Sequence, residues 1–360
     1  MKFREIVEAV YSKNNADNSV RGRLAAHKEI GDRVTKLIEQ KKIEPNKVSM
    51  KQLWEETVVA FDLQEGIVSS AFPTIAGSII SSVIIQAYQD FPKQGLQLVR
   101  TVPSKLKISN IVGWQAMGAI GKILEREDIK EVIPNLEKTQ TIKNFKYAGV
   151  VSLTREDIFF DQTGDLMDRA LGIGNEAARK QDEILLKKMI DADSDALSGA
   201  ALYTSGNSNL NTANGLGTSG WEKVDQILTT KTDEQGKPIW VFSEKPTMMV
   251  AAKNKHVAWR LKNNEHGTLN SGNLDANPSK DAFNIVVNPY FTTPKTNTDW
   301  LYGNFKRQFR WEEVWPMQTA KRAGQNTDRG FHNDIFQETK ASFFGGAGSI
   351  DTRFVEKNTA

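Results

Sequence analysis

The chain has 360 residues, with 47 Lys and Arg against 44 Asp and Glu, so its formal net charge is only +3. An apolar fraction of 39% with 26 Gly is ordinary for a globular chain and excludes disordered and collagen-like classes. The absence of Cys removes disulfides, thiolate metal sites and cysteine nucleophiles. The most apolar run, Ile75 to Tyr88, is interrupted by Ser78, Ser81, Ser82 and Gln86, so no membrane-spanning segment is expected. Glu5 and Glu8 break any signal-peptide apolar core, which points to synthesis in the cytoplasm. Residues 1–60 carry 12 basic and 9 acidic side chains, so the whole positive excess lies there and the other 300 residues balance. Nucleic-acid binding by a single subunit is therefore expected to be weak, because phosphate neutralisation needs clustered Lys and Arg.

In chain order, Ile30, Val34, Leu37 and Ile38 recur at helical spacing, and a second helix is predicted to start at Ser49 after a break at Pro45. Ile75, Ile79, Ile80, Val83, Ile84 and Ala87 share one broad helical face. The period then shortens. Leu96 and Leu98, then Leu106 and Ile108, alternate with polar residues and predict strands around a turn at Pro103 and Ser104. A glycine-punctuated, charged stretch from Gly113 to Leu136 follows, and Thr139 to Leu153 alternates again. Together these read as a long projecting hairpin with a mobile tip.

Thr163 is a candidate N-cap for a helix running to about Ala192 without proline. Its apolar stripe is Leu166, Met167, Ala170, Ile173, Ala177, Ile184, Leu185 and Met189. Thirty residues at 1.5 Å each make a rod of about 45 Å, a structural spine. Residues 198–220 hold 16 Gly, Ser, Asn or Thr out of 23 and mark a boundary. Beyond it, a helix from Trp221 to Thr229, strands in PIWVF, TMMVAA, NIVVNPYF and WLYGNF, and a helix from Asn254 to Lys262 predict a compact α/β lobe. From Phe305 on, QFRWEEVW and DIFQETKASFF predict strands returning to the spine, with Gly345, Gly346 and Gly348 as a turn.

Chemistry-bearing motifs are weak. GLGTSG (Gly215 to Gly220) matches a dinucleotide fingerprint but lacks the buried strand before it that the motif requires, so it reads as a flexible loop. DADSD (Asp191 to Asp195) begins like a calcium loop, but Ala196 and Leu202 stand where Gly and a bidentate Glu belong. His27, His256, His266 and His332 never fall at a metal-binding spacing. In KRQFRW, period 2 puts Phe309 and Trp311 on one strand face and Arg310 on the other, which predicts a core strand over a base-stacking platform. No catalytic residue, metal site or cofactor is expected.

The segment FFDQTGDLMDRALGIGNEAARKQDEIL (Phe159 to Leu185), preceded by VVSLTRED, resembles the strand-to-spine-helix passage of tailed-phage major capsid proteins, notably the Mu-like major head subunit group. AFPTIAG with IQAY, LVRTVPS, TKTDEQGKPIWV, PTMMVAAKN and NTDRGFHNDIFQETKASFFGGAGSIDTRF follow the same order, so the resemblance spans about residues 70–355. Residues 1–60 carry no family motif, and TMMVAAKN lacks the prolines common in the family. The resemblance implies an α+β, Hong Kong 97-like fold. Its parts would be an N-terminal helical arm (1–68), a helix leading into the peripheral domain (69–95) and an extended loop (96–150). The peripheral spine helix (151–198), an axial domain (199–304) and peripheral return strands with the C-terminus (305–360) would complete it. It implies a structural role: self-association through hexamers and pentamers into an icosahedral shell around double-stranded DNA held without sequence preference, located in the virion. Portal, scaffolding and decoration proteins would be partners. Assembly contacts would then come from the loop tip, with Gly113, Trp114, Gly118, Gly121, Lys122, Arg126 and Lys130 as candidates. Two alternatives stand beside this reading: an encapsulin-type compartment holding cargo protein, and an α/β hydrolase-like enzyme with its lobe at 199–304.

Overall fold

In the computed structural model the described residues are 10, 20–40, 48–59, 65–112, 115–117, 134–136, 139–160, 162–192, 201–233, 236–264, 277, 279–291, 297–323 and 328–359. In chain order the elements are α1 (Val20–Glu39), α2 (Met50–Val59), α3 (Glu65–Asp90), α4 (Gln94–Gln97), β1 (Arg100–Pro103), β2 (Ile108–Val112), β3 (Gln115–Met117), β4 (Pro134–Leu136), β5 (Thr139–Lys143), β6 (Phe145–Thr154), α5 (Arg155–Phe159) and α6 (Thr163–Met189). Then come β7 (Leu210–Asn211), α7 (Thr218–Thr229), β8 (Thr247–Val250), α8 (Lys255–Asn263), β9 (Asn284–Val287), β10 (Trp300–Gly303), α9 (Phe305–Gln308), β11 (Phe309–Ala323), α10 (Asp328–Asn333), β12 (Ile335–Ser349) and β13 (Val355–Asn358). The chain divides into two compact units. One comprises residues 1–92, 146–180 and 315–344; the other comprises 93–145, 181–314 and 345–360.

The first unit is built on α3. Ile75, Ile79, Ile80, Val83, Ile84 and Ala87 are buried, but so are Phe72, Ala76, Ser78 and Ser81, so the helix is enclosed on more than the one face expected. Of these serines, Ser78 finds an internal partner, its Oγ donating to Thr74 O at 2.8 Å, whereas the buried Ser81 Oγ has no hydrogen-bond partner among the described residues. Residues 20–59, expected as an arm, join this core instead, because Ile30, Val34, Ile38, Met50 and Leu53 lie in one apolar cluster with Phe72 and Ile75. The side chain of Ser49 caps α2 by accepting from Gln52 N at 3.1 Å. Thr163 is not the N-cap of α6 but its first residue. Close approach is tight where Gly174 of α6 meets α3: a Cβ there would lie 2.4 Å from the carbonyl oxygen of Ile84.

In the second unit, Leu96 lies in the short helix α4 rather than the strand its alternation suggested, with Leu98 just past its end. The cause is distant in sequence: Asp182 Oδ1 accepts from Gly95 N at 2.6 Å, satisfying a helix-start donor from 87 residues away. β2 pairs antiparallel with β5, Val112 opposite Thr139, and β3 with β4, Gln115 opposite Leu136, a ladder of the kind the hairpin reading requires. The single strand expected from Thr139 to Leu153 is two, broken at Asn144. This buried side chain turns aside to donate to Leu106 O and Glu312 Oε2.

One sheet has the order β1-β11-β12-β6, with β1 parallel to the start of β11. The other has the order β7-β13-β10-β8-β9, and its central strands β8 and β10 are buried at every position. Phe309 and Trp311 are buried at 0% and 1% exposure, as period 2 required. Two expectations fail here. PIWVF forms no strand, although Ile239 and Val241 are buried, because its one backbone bridge is Thr232 to Pro238. Gly345, Gly346 and Gly348 lie inside β12 and make no turn. They are small because neighbours press on them: a Cβ at Gly345 would lie 2.5 Å from Glu312 O, and one at Gly346 would lie 2.5 Å from Lys143 O.

The C-terminal segment also departs from expectation. Residues 345–360 belong to the second unit, not to strands returning with 315–344, because β13 pairs with both β10 and β7. Buried polar groups fix it there. Gln308 Oε1 accepts from Phe354 N and Val355 N at 3.1 and 2.7 Å, and Arg353 Nη2 meets Asp351 Oδ2 at 2.7 Å.

Candidate assembly surface

Helix α6 fixes both the interior and a long external face. Leu166, Met167 and Ala170 are buried in the core of the first unit, with Ile173 packed at its margin. Leu185 and Met189 are buried in the second unit, while Ala177 and Ile184 are half-buried. Ala178, Leu186 and Ile190, which the stripe omitted, are buried as well. The outer face is stitched by ion pairs one turn apart, Arg179 with Glu176 at 2.7 Å and Lys187 with Glu183 at 2.5 Å. The exposed Arg179–Glu176 pair contributes little to stability, about 0.3–0.5 kcal/mol.

The loop-tip candidates Gly113, Trp114, Gly118, Gly121, Lys122, Arg126 and Lys130 lie outside the described residues. Of the motifs considered for chemistry, GLGTSG is anchored rather than free. Gly217 caps α7, and Asn214 just before the motif offers its carbonyl to Trp300 Nε1 at 2.9 Å. Asp191 Oδ2 accepts from Leu202 N at 2.8 Å, so this acid tethers chain, and Asp193 and Asp195 lie outside the described residues. His256 and His332 are exposed; the side chain of His27 and the whole of His266 fall outside the described set. Among the described residues no group of three or more His, Asp or Glu could hold a metal ion. No described helix is long and apolar enough to cross a membrane.

Buried charges of the second unit serve packing. Burial pushes the Glu356 carboxyl above its ordinary range, and the ion pair with Lys231, at 2.7 Å, opposes that shift. Asp299 is raised by burial in the same way and meets Lys357 at 3.5 Å. Burial also raises Asp182, against the N–H groups of Gly95, Leu96 and Gln94 that favour its charged form.

Among the described residues Leu106, Ile108, Val150 and Leu171 are exposed singly along the chain, whereas two adjacent exposed aromatics occur where β6 passes into α5. The side chain of Thr154 accepts from Asp157 N, and Asp157 Oδ2 accepts from Thr154 N at 2.9 Å, a reciprocal cap that turns the chain sharply. The short helix it starts ends at Phe159, which leaves Phe159 and Phe160 exposed at 72% and 67%, edge to face at 5.2 Å. Both rings, with Trp54, Ile158 and Phe336, supply the apolar lining of an open concavity of about 580 Å³. Trp54 is set against Phe336 edge to face at 5.3 Å. In the second unit Trp240 and Trp259 are exposed at 83% and 59%. None of these four aromatics was selected from the sequence. The available signal was a pair of adjacent aromatics between a strand and the first residue of the spine stripe.

A family model described as phage capsid protein matches residues 137–358. No curated protein matches. Similar solved structures include the capsid of an empty GTA particle, at 13% identity over 73% of this chain and 88% of that one, with a TM-score of 0.48. A virus-like particle from Pyrococcus furiosus has 8% identity over 78% and 97%, TM-score 0.45. A structure from Mycobacterium phage Adephagia has 13% identity over 76% and 91%, TM-score 0.45. At such identities and scores the family match alone carries the assignment.

Proposed function

The chain belongs to the phage capsid protein family, and from that membership we propose that it is the major capsid subunit of a tailed double-stranded-DNA phage or prophage with a Hong Kong 97-like fold. The carrying observation is the extent of the match, which runs from the strand pair before the spine helix through to the C-terminal strand. The arrangement suits a structural task. Its parts are a proline-free helix of 27 residues, two larger sheets and a C-terminal segment held by buried ion pairs.

In this reading hexamers and pentamers close an icosahedral particle, and the virion is where the protein acts. Packaged DNA is held collectively, because the excess of +3 per chain gives each subunit little affinity of its own. Portal, scaffolding and decoration proteins complete the partner set, and catalysis has no part in the role. The test is to express the chain alone and examine it by sedimentation velocity and negative-stain microscopy. Capsomers or closed shells of uniform size support the reading; a monomer at every concentration, both alone and co-expressed with the scaffolding protein, overturns it.

A further inference from the structure

We propose that the aromatic patch at the turn from β6 into α5 is a two-fold contact between copies of this chain, in which Phe159 and Phe160 of each subunit enter the concavity of the other. The inference rests on the capsid reading and names a surface that would act within it. Three observations carry it.

First, projection and hollow occur together. The two exposed rings project from one wall of a concavity of about 580 Å³ that Trp54, Ile158 and Phe336 also line. A surface that carries both a knob and the hole for it, side by side, is self-complementary under a two-fold rotation, which is what an isologous contact requires. A partner of another kind would need only one of the two.

Second, the charge is balanced. The rim carries Lys51 and Arg155 against Glu55 and Glu156, all exposed, and no ion pair among the described residues engages any of them. A net-neutral rim with both signs available suits a second copy of itself. It suits neither DNA, which would select a basic rim, nor a strongly charged peptide.

Third, the area fits a shell better than a free dimer. With Phe159 and Phe160 72% and 67% exposed, four rings of about 150–200 Å² have about 400–550 Å² left to bury, and with a similar area of the walls they meet the contact covers about 800–1,100 Å² in total. A stable, specific pair needs about 1,600 Å². The contact is therefore too small to hold two free subunits together and becomes effective only when other contacts in the assembly bring the patches into register.

The experiment uses the full chain under conditions where the parent forms shells. Phe159→Ser with Phe160→Ser removes the knob at exposed positions, so the thermal melt should stay cooperative and near that of the parent, while the yield of closed particles falls at least tenfold. Normal particle yield from that variant overturns the proposal. Because the chain has no cysteine, Phe160→Cys gives one addressable thiol per subunit. In particles treated with a short bismaleimide, a band of twice the chain mass linked through position 160 of both copies is expected, and no such band should form with dilute free subunits. Intact particles without that link overturn the two-fold contact while leaving the capsid reading in place. A parent that never assembles defeats the capsid reading and this contact with it.

Discussion

The side-chain hydroxyl of Thr163 accepts a 2.8 Å hydrogen bond from the backbone N–H of Met50, 113 residues earlier in the chain. The first residue of the spine helix thereby satisfies a donor at the start of α2, one of the helix-start N–H groups with no partner inside their own helix. Thr163→Val keeps the shape and removes the acceptor, so a buried donor is orphaned at a cost of about 1–3 kcal/mol. Thr163→Ser should recover most of it. Urea unfolding of the three proteins measures the difference, and equal midpoints for Val and the parent would contradict the account.

Burial along α6 separates two leucines. Leu185 is 1% exposed and Leu171 is 38% exposed. Leu185→Asp places an unpaired carboxylate in the interior and removes packed volume, a loss of several kcal/mol, so insoluble protein is expected. Leu171→Asp on the same helix should remain soluble and melt within a few degrees of the parent. Soluble, normally folded Leu185→Asp would show that the inner face of the helix is misplaced.

Glycines give a paired test. At Gly345 an added Cβ would meet Glu312 O at 2.5 Å and the Trp311 ring at 2.5 Å, whereas at Gly172 it meets nothing within 4 Å. Gly345→Ala should destabilise by about 1–3 kcal/mol through overpacking. Gly172→Ala, inside α6, should stabilise by about 0.5–1 kcal/mol because alanine leaves the unfolded chain less backbone entropy to lose on folding. Opposite signs in denaturant midpoints are the expected outcome.

Lys93 supplies a pH dependence. Burial lowers its ammonium from the ordinary 10.5 to about 8, against the attraction of Asp182 and Glu313. The folded state therefore binds this proton more weakly than the unfolded chain does, and the contribution to stability rises with pH between about 8 and 10.5. Relative to Lys93→Met, the parent should gain stability from pH 8 to pH 10.5 in urea melts. Parallel profiles would show that the side chain is hydrated as in free lysine.

What was legible in the sequence follows from what is local. The stripe Leu166, Met167, Ala170 and the alternation of Phe309 with Trp311 are set by one helix or strand facing one core, and periodicity reports them directly. Leu96 and Leu98 misled because the helix there depends on Asp182, which no window of ordinary length contains. Gly345, Gly346 and Gly348 misled for a related reason. Glycine marks turns and close approaches alike, and only the neighbours Glu312, Lys143 and Ile142 tell them apart. The exposed Phe159 and Phe160 were written in the sequence, but exposure of an aromatic depends on where a five-residue helix ends.

The central claim, that this chain forms the shell around a phage genome, is tested most directly by isolating particles from cells that carry the complete phage or prophage and analysing what they contain. The account predicts icosahedral particles whose most abundant protein is this 40.2 kDa chain or a product of it, enclosing double-stranded DNA that resists added nuclease. Particles of this chain filled with a single cargo protein and no DNA, or genome-bearing particles from which the chain is absent, would contradict it.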